Sequence, residues 1–401
     1  MENNQKDEKS INEVCDSIMN NLNYQFQIYQ NSISQSINQK LSELDNVINQ
    51  QIDIYTNNII NELIIDAVNI DKIKSPNLIN LKIFDNTNFL IDLILLYFSN
   101  IDRLSRYYLK PKHEELILRK SKQDPTGIYL SPSYLKLINN LWKGTKTTYD
   151  PSEIHEKLKI LMQNDYNSTN PGIIINFIVY QLHKELNFNN KMIQPEWNYN
   201  MQNAFQSFGN YFKANYNEIL DEFFSSIRIQ KTTSQNIPMF LYQFTVVFNL
   251  YLNNINETVL SLEHHFKNLY MNINDRMKYC MNNEIFNGKT IYSIPKIFIL
   301  NINRNKNKKQ FFNYPLELYN NNIIENNGQQ QEKYELYCVI ISKYINNENI
   351  FYAYIRNVIN RKWYLYSKDG IKLVNNENEV IDGENASLLI YQKPEKKKNN
   401  I

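Results

Sequence analysis

Five short apolar runs in the C-terminal third, Ile297–Ile302, Tyr334–Lys343, Ile350–Asn357, Lys362–Tyr366 and Ala386–Tyr391, are rich in Ile, Leu, Tyr and Val and are separated by Asn-rich or charged turns. Each has the length of a strand, and together they predict an antiparallel sheet. Near the N-terminus the apolar period is different. From Ile11 to Leu63 a hydrophobic side chain returns every three or four positions, through Ile18, Leu22, Phe26, Ile33, Ile37, Leu41, Ile48 and Ile59. No Gly or Pro interrupts this stripe, which predicts one long helix. Its mean step of about 3.7 residues exceeds the heptad value of 3.5, so straight packing is expected rather than a leucine-zipper coil. The opposite face is polar, so the helix lies along its own domain or along a protein partner, and both readings stay open.

Ser75-Pro76 breaks the helical pattern. The expected organisation is an N-terminal helical extension over 1–74, a domain over 78–393 and a basic tail over 394–401. Helical segments run through His183, with turn-rich stretches at Gln123–Gly127 and Asn167–Gly172. Residues 195–285 are ambiguous, with aromatic-rich runs such as Phe240–Phe248. Helices first and strands later make the fold class α+β.

Only 8 glycines, 3 cysteines and 5 histidines occur in 401 residues. Gly-rich phosphate loops and four-cysteine zinc cages are therefore excluded, and no cofactor is expected. Cys15, Cys280 and Cys338 show no paired spacing, which points to a reducing compartment, cytoplasmic or nuclear. The segment Met1–Lys9 has no apolar core of a secretory signal. The most apolar run, Phe89–Phe98, is too short to span a bilayer and carries Asp92, so it reads as a buried helix. With Lys+Arg 43 against Asp+Glu 41 the net charge is +2, and no domain-sized basic excess favours nucleic acid.

The order of the segments over residues 78–393 resembles the ubiquitin-specific protease family of papain-like cysteine isopeptidases. Asn80–Phe89 is similar to that family's cysteine box, Gly-Leu-x-Asn-Leu-Gly-Asn-Thr-Cys-Tyr. Tyr149–Glu153 and Gln181–Leu186 are similar to its helical thumb, and Ile294–Arg304 to its strand Leu-Pro-x-x-Leu-x-x-x-Leu-x-Arg. Tyr334–Ile340, Tyr352–Arg356, Trp363–Tyr366 and Ala386–Tyr391 follow its histidine-box strands in order. The resemblance implies a helical thumb, an antiparallel-sheet palm and fingers, and ubiquitin as a partner.

Residue by residue, the same resemblance removes the chemistry. An isopeptidase needs a thiolate, an imidazole to deprotonate it and a carboxylate or amide to orient the imidazole. Asn88 stands in the nucleophile position, Ile350 in that of the base, Ser367 in that of the orienting group and Ile83 in that of the oxyanion-hole Asn. Asp85 replaces a box glycine, and Thr169–Ile174 replaces the acidic Gln-Asp-Ala-Gln-Glu-Phe box. Of the two finger Cys-x-x-Cys pairs only Cys280 remains, so no zinc is expected and Phe205, Phe208, Tyr211, Phe212, Phe223 and Phe224 are assigned to pack the fingers. His183 reads as structural, and adjacent His264-His265 as a surface or half-buried pair.

The expectation is a pseudo-deubiquitinase, not an enzyme, that serves as a ubiquitin- or protein-binding scaffold in a larger assembly and docks protein partners through residues 11–63. Two alternatives stay open: an active deubiquitinase with a displaced nucleophile among Cys15, Cys280 and Cys338, and a purely structural subunit that no longer binds ubiquitin.

Overall fold

The computed structural model describes residues 19–28, 30–43, 80–81 and 88–394, apart from 124–127, 144–147, 188–194, 234–236, 253–258, 263–278, 282–283, 305–309, 321–330 and 346–347. The chain divides into two compact units, Met1–Lys72 and Ile73–Ile401. In the first unit the described residues form one helix, α1, over 19–28 and 30–43. The remainder of the predicted 11–63 helix, and the Ser75-Pro76 break, lie outside the described residues.

In the second unit the helices are α2 (Phe89–Ser99), α3 (Asp102–Leu109), α4 (Pro111–Gln123), α5 (Ser131–Lys143), α6 (Ser152–Met162), α7 (Pro171–Leu186), α8 (Met201–Ala214) and α9 (Glu218–Phe223). Two short strands, β1 (Asn80–Leu81) and β2 (Thr148–Tyr149), pair in parallel. The main strands are β3 (Ser225–Thr232), β4 (Pro238–Thr245), β5 (Val247–Tyr251), β6 (Val259–Ser261), β7 (Tyr279–Met281), β8 (Glu284–Ser293) and β9 (Ile297–Asn303). They continue with β10 (Phe311–Asn313), β11 (Glu317–Tyr319), β12 (Lys333–Ile345), β13 (Glu348–Arg356), β14 (Trp363–Ser367), β15 (Gly370–Leu373) and β16 (Ala386–Gln392).

Eight strands make the central sheet, in the order β15-β14-β13-β12-β16-β9-β5 with β11 also paired to β12. A four-stranded sheet, β4-β3-β8-β7, stands apart. The central sheet is mixed rather than purely antiparallel, because β5 runs parallel to β9 through Val247↔Ile299 and Leu250↔Ile302. The ambiguous stretch 195–285 already contains strands, the first of them β3 from Ser225. The ambiguous run Phe240–Phe248 divides into β4 and β5, which belong to different sheets, so neither shows a clean alternation of its own.

Both faces of the central sheet are covered. Ile297 and Ile299 of β9, Cys338 and Ile340 of β12, Ala353 and Ile355 of β13, and Leu388 and Ile390 of β16 join a core built with α2 and α7. The alternate residues Phe298, Leu300, Val339, Ile341, Leu389 and Tyr391 join a second core. Two buried faces explain why these strands read as continuous apolar runs. Helix α2 sits inside the first core and is apolar on every side but for Asp92 and its last residue Ser99, as suits a helix without a solvent face.

The fingers pack partly as expected. Phe208 lies 4.7 Å and Tyr211 5.4 Å from Phe244 of β4, ring centre to ring centre. Phe223 instead belongs to the helical core, where it meets Phe98 edge-on at 5.5 Å, while Phe224 meets both Tyr180 of α7, at 4.9 Å, and Phe244 of β4, at 5.8 Å. Phe223 ends α9, and Phe224 stands between that helix and the start of β3.

Helices α5 and α6 are joined by Glu153, which accepts hydrogen bonds from Ser133 Oγ and Lys136 Nζ, both at 2.7 Å. The hydrogen bond from Lys136, helped by Ser133, holds the Glu153 carboxyl down at about 2. A carboxyl whose pKa is depressed by folding contributes stability that is present above its unfolded pKa and is lost as pH falls through its folded value. The stability difference between the wild type and Glu153→Gln, measured by urea denaturation, is therefore expected to shrink steadily between about pH 5 and about pH 2. A difference independent of pH over that window contradicts the assignment.

Candidate functional site

The N-terminus of α2 is where the resemblance places the nucleophile, and Asn88 is its N-cap. Its Oδ1 accepts from the Leu90 N–H at 3.1 Å, which satisfies one of the donors a helix start leaves open. Its Nδ2 donates to the carbonyls of Tyr166, at 2.8 Å, and Ser168, at 3.1 Å. The amide therefore uses both its donor hydrogens and its acceptor oxygen on the protein, and ties α2 to the turn between α6 and α7. A thiol or hydroxyl at this place could not make all three bonds.

One turn further along α2 lies Asp92, completely buried. Its Oδ1 is 2.7 Å from Nε2 of His155 on α6, and His155 Nδ1 is 2.8 Å from the Tyr166 hydroxyl. The chain Asp92–His155–Tyr166 thus ends on the residue whose carbonyl holds Asn88. Burial raises the Asp92 carboxyl above its usual range although His155 pulls it down, and burial likewise raises the Tyr166 phenol. Asp92 Oδ2 has no hydrogen-bond partner. The arrangement has the parts of a proton relay, but the carboxyl and the imidazole are sealed from solvent and no nucleophile is joined to them. Its chemistry is that of a polar staple within the core. The sequence reading missed it, although the signal was present: one acid inside the most apolar run, and few histidines to pair with it.

The base and orienting positions lie elsewhere. Ile350 is exposed and pairs with Lys343 at the start of β13, on the strand face of Tyr352 and Tyr354, which pack on the second core. Its neighbour Phe351 is the residue that packs on the core containing α2. Ser367 closes the β14–β15 turn opposite Gly370 and accepts from the Asp369 N–H at 3.2 Å. The side-chain hydrogen bonds of Asn88 go to Leu90, Tyr166 and Ser168, and Ile350 has no polar side-chain atom, so the described residues Asn88, Ile350 and Ser367 are not joined into a hydrogen-bonded triad. Ile83 lies outside the described residues.

In place of the acidic box, Asn170 caps α7 through the Gly172 N–H at 2.9 Å and donates to Asn303 Oδ1 at 3.3 Å. Gly172 is needed for close approach, because a Cβ there would stand 2.5 Å from the Asn301 side chain. Asn301 in turn donates to Asn249 at 2.7 Å, so neutral amides fill this junction.

Cys338 is fully buried in β12, and burial pushes its thiol well up, away from thiolate formation. Cys280 lies in β7. Cys15 and His264-His265 lie outside the described residues. His183 is buried and pairs with Asn217 at 2.9 Å. Among the described residues no three His, Cys, Asp or Glu side chains are grouped to hold a metal ion, and no helix is long and apolar enough to cross a membrane. A cavity of about 290 Å³ lies at the other end of α2, with Arg103, Arg106, Lys296, Arg361 and Lys393 on its wall. Arg103 and Lys296 share Glu222, Arg106 pairs with Asp102, and Arg361 and Lys393 reach Glu335 and Glu332, so each of these cations has a carboxylate partner.

A helical unit packed on a central sheet, with the buried helix presenting its N-terminus at the junction, defines the papain-like fold of the ubiquitin-protease type. The family profile for ubiquitin carboxyl-terminal hydrolase matches residues 77–391, and the chain belongs to that family. Among solved structures it is similar to the Ubp8-Sgf11-Sgf73-Sus1 SAGA DUB module, at 16% identity and a TM-score of 0.55, covering 80% of this chain and 68% of that one. The same module bound to ubiquitin aldehyde matches at 16% identity and a TM-score of 0.55, covering 80% and 70%. A yeast SAGA DUB module with a mutant Sgf73 matches at 14% identity and a TM-score of 0.53, covering 80% and 68%. No curated protein sequence matches.

Asn88→Ala removes the cap and both cross-bonds, so it should lower stability to urea by about 2 kcal/mol. Asn88→Asp keeps the cap but turns a carboxylate toward two carbonyls, and should lose at least as much. A loss under about 0.5 kcal/mol for both would remove the structural role given to this amide. Asp92→Ala, which strands the buried His155 imidazole, should cost about 3 kcal/mol in the same measurement.

Proposed function

We propose that this chain is a pseudo-deubiquitinase: a member of the ubiquitin carboxyl-terminal hydrolase family that binds ubiquitin or a protein partner and does not cleave. The observation that carries the reading is the full engagement of Asn88 in structural hydrogen bonds at the place of the nucleophile. An amide there cannot form an acyl intermediate, and Ile350 has no nitrogen to take a proton. The burial of Cys338 speaks against a displaced thiolate at that cysteine.

The chain would act as a subunit of a larger assembly in the cytoplasm or nucleus, with residues 11–63 as its docking arm. That solved neighbours are subunits of a DUB module with Sgf11, Sus1 and Sgf73, one of them bound to ubiquitin aldehyde, supports this reading.

A ubiquitin probe carrying a C-terminal electrophile should leave Cys15, Cys280 and Cys338 unmodified in the intact protein, as read by mass spectrometry. Labelling abolished by substitution of one cysteine would overturn the proposal. Titration with labelled ubiquitin should show binding at micromolar to high-micromolar concentration, and its absence would favour a purely structural subunit.

A further inference from the structure

Every described side chain of α1 is exposed, including the apolar ones. Among the described residues Met19, Leu22, Phe26, Ile33, Ile37 and Leu41 fall in a stripe along one side of the helix. Leu22 is 59%, Phe26 64% and Ile33 55% exposed, with Ile37 and Leu41 similar. A helix of this kind is stabilised by what covers its apolar face.

The rest of the helix narrows what can cover it. Between residues 19 and 43 the only charged side chains are Lys40 and Glu43, and the remaining surface is mostly Asn, Gln and Ser, with Tyr24 and Ile28 as exposed apolar residues off the stripe. Helices that lie on lipid surfaces carry a basic face, and this one has a single lysine. A strongly acidic or basic partner would likewise find no complementary charge. A second α1 meets none of these objections: the two stripes are self-complementary, and almost no like charges are brought together.

The area is also sufficient. Covering the described stripe residues on both copies would remove on the order of 1,400 Å² from water, within the roughly 1,200–2,000 Å² of a stable interface. The spacing of about 3.7 residues suits two nearly straight helices rather than a tightly wound heptad pair.

We propose that α1 is a self-association surface through which two copies of this chain pair, stripe against stripe. This rests on reading residues 11–63 as a docking arm and names a second copy as the occupant. A symmetric pair would present two family domains from one helical stem, so that any ubiquitin binding becomes bivalent.

Sedimentation equilibrium on the full chain at about 10 μM should give twice the 48.0 kDa chain mass. Phe26→Asp combined with Ile33→Asp should reduce it to the single-chain mass with unchanged near-ultraviolet circular dichroism. Asn31→Glu with Gln35→Glu, on the opposite side of the helix, should leave the pair intact and show that added charge alone is not responsible. A single-chain mass for the wild type overturns the proposal, as does a dimer that survives the stripe variant or association that requires added anionic vesicles. These outcomes are separate from the probe experiment: an unreactive monomer removes only the pairing, and a reactive dimer removes only the loss of catalysis.

Discussion

The side-chain amide of Asn88 holds together two elements, the start of α2 and the turn between α6 and α7. It caps α2, and it draws the turn at Tyr166 and Ser168 onto the start of that helix. Tyr166 then reaches through His155 to Asp92, which returns the connection to α2 one turn later. The loop is closed: two helices and a turn are joined by bonds whose members are half-buried or buried. Each neutral bond is worth about 1 kcal/mol net, but leaving a member unpaired costs about 1–3 kcal/mol, so the parts hold one another in place. In a domain whose total stability is about 5–15 kcal/mol, such a loop is a substantial fraction.

The other end of α2 is secured in a similar way. Asn100 donates to the Arg356 carbonyl at 2.6 Å and accepts from the Val358 N–H at 3.3 Å, which fixes the helix against the exit of β13. With both ends tied and a surface apolar but for Asp92 and Ser99, α2 has one position relative to the sheet. The sheet alternates its side chains between this core and a second one, so a one-residue slip would exchange the two sets. This register puts Phe351 on the side of α2 and Ile350 on the other, and neither can move a proton.

Much of this was legible in the sequence. The strands β9, β12, β13, β14 and β16 fall on the five apolar runs to within a few residues, because strands buried on both faces have little choice but Ile, Val, Leu and aromatic residues. The Phe89–Phe98 helix was legible for the same reason. Less legible were features made by pairing at long range. The parallel contact of β5 with β9 joins residues about fifty positions apart in the chain, and no local pattern encodes its direction. The partners of Asp92 and Asn88 lie 63 to 80 residues away, so an acid in an apolar run announced a need without naming what met it. Phe223 was misassigned to the fingers because composition shows that aromatic residues pack, not which core they enter.

The central claim is that the catalytic junction has become a structural one. Hydrolysis of ubiquitin carrying a C-terminal fluorogenic amide tests it most directly, using the intact protein and Asn88→Cys side by side. The account predicts no turnover above buffer for either, because the restored thiol would still lack a base and an orienting group. Turnover by the wild-type chain would contradict it.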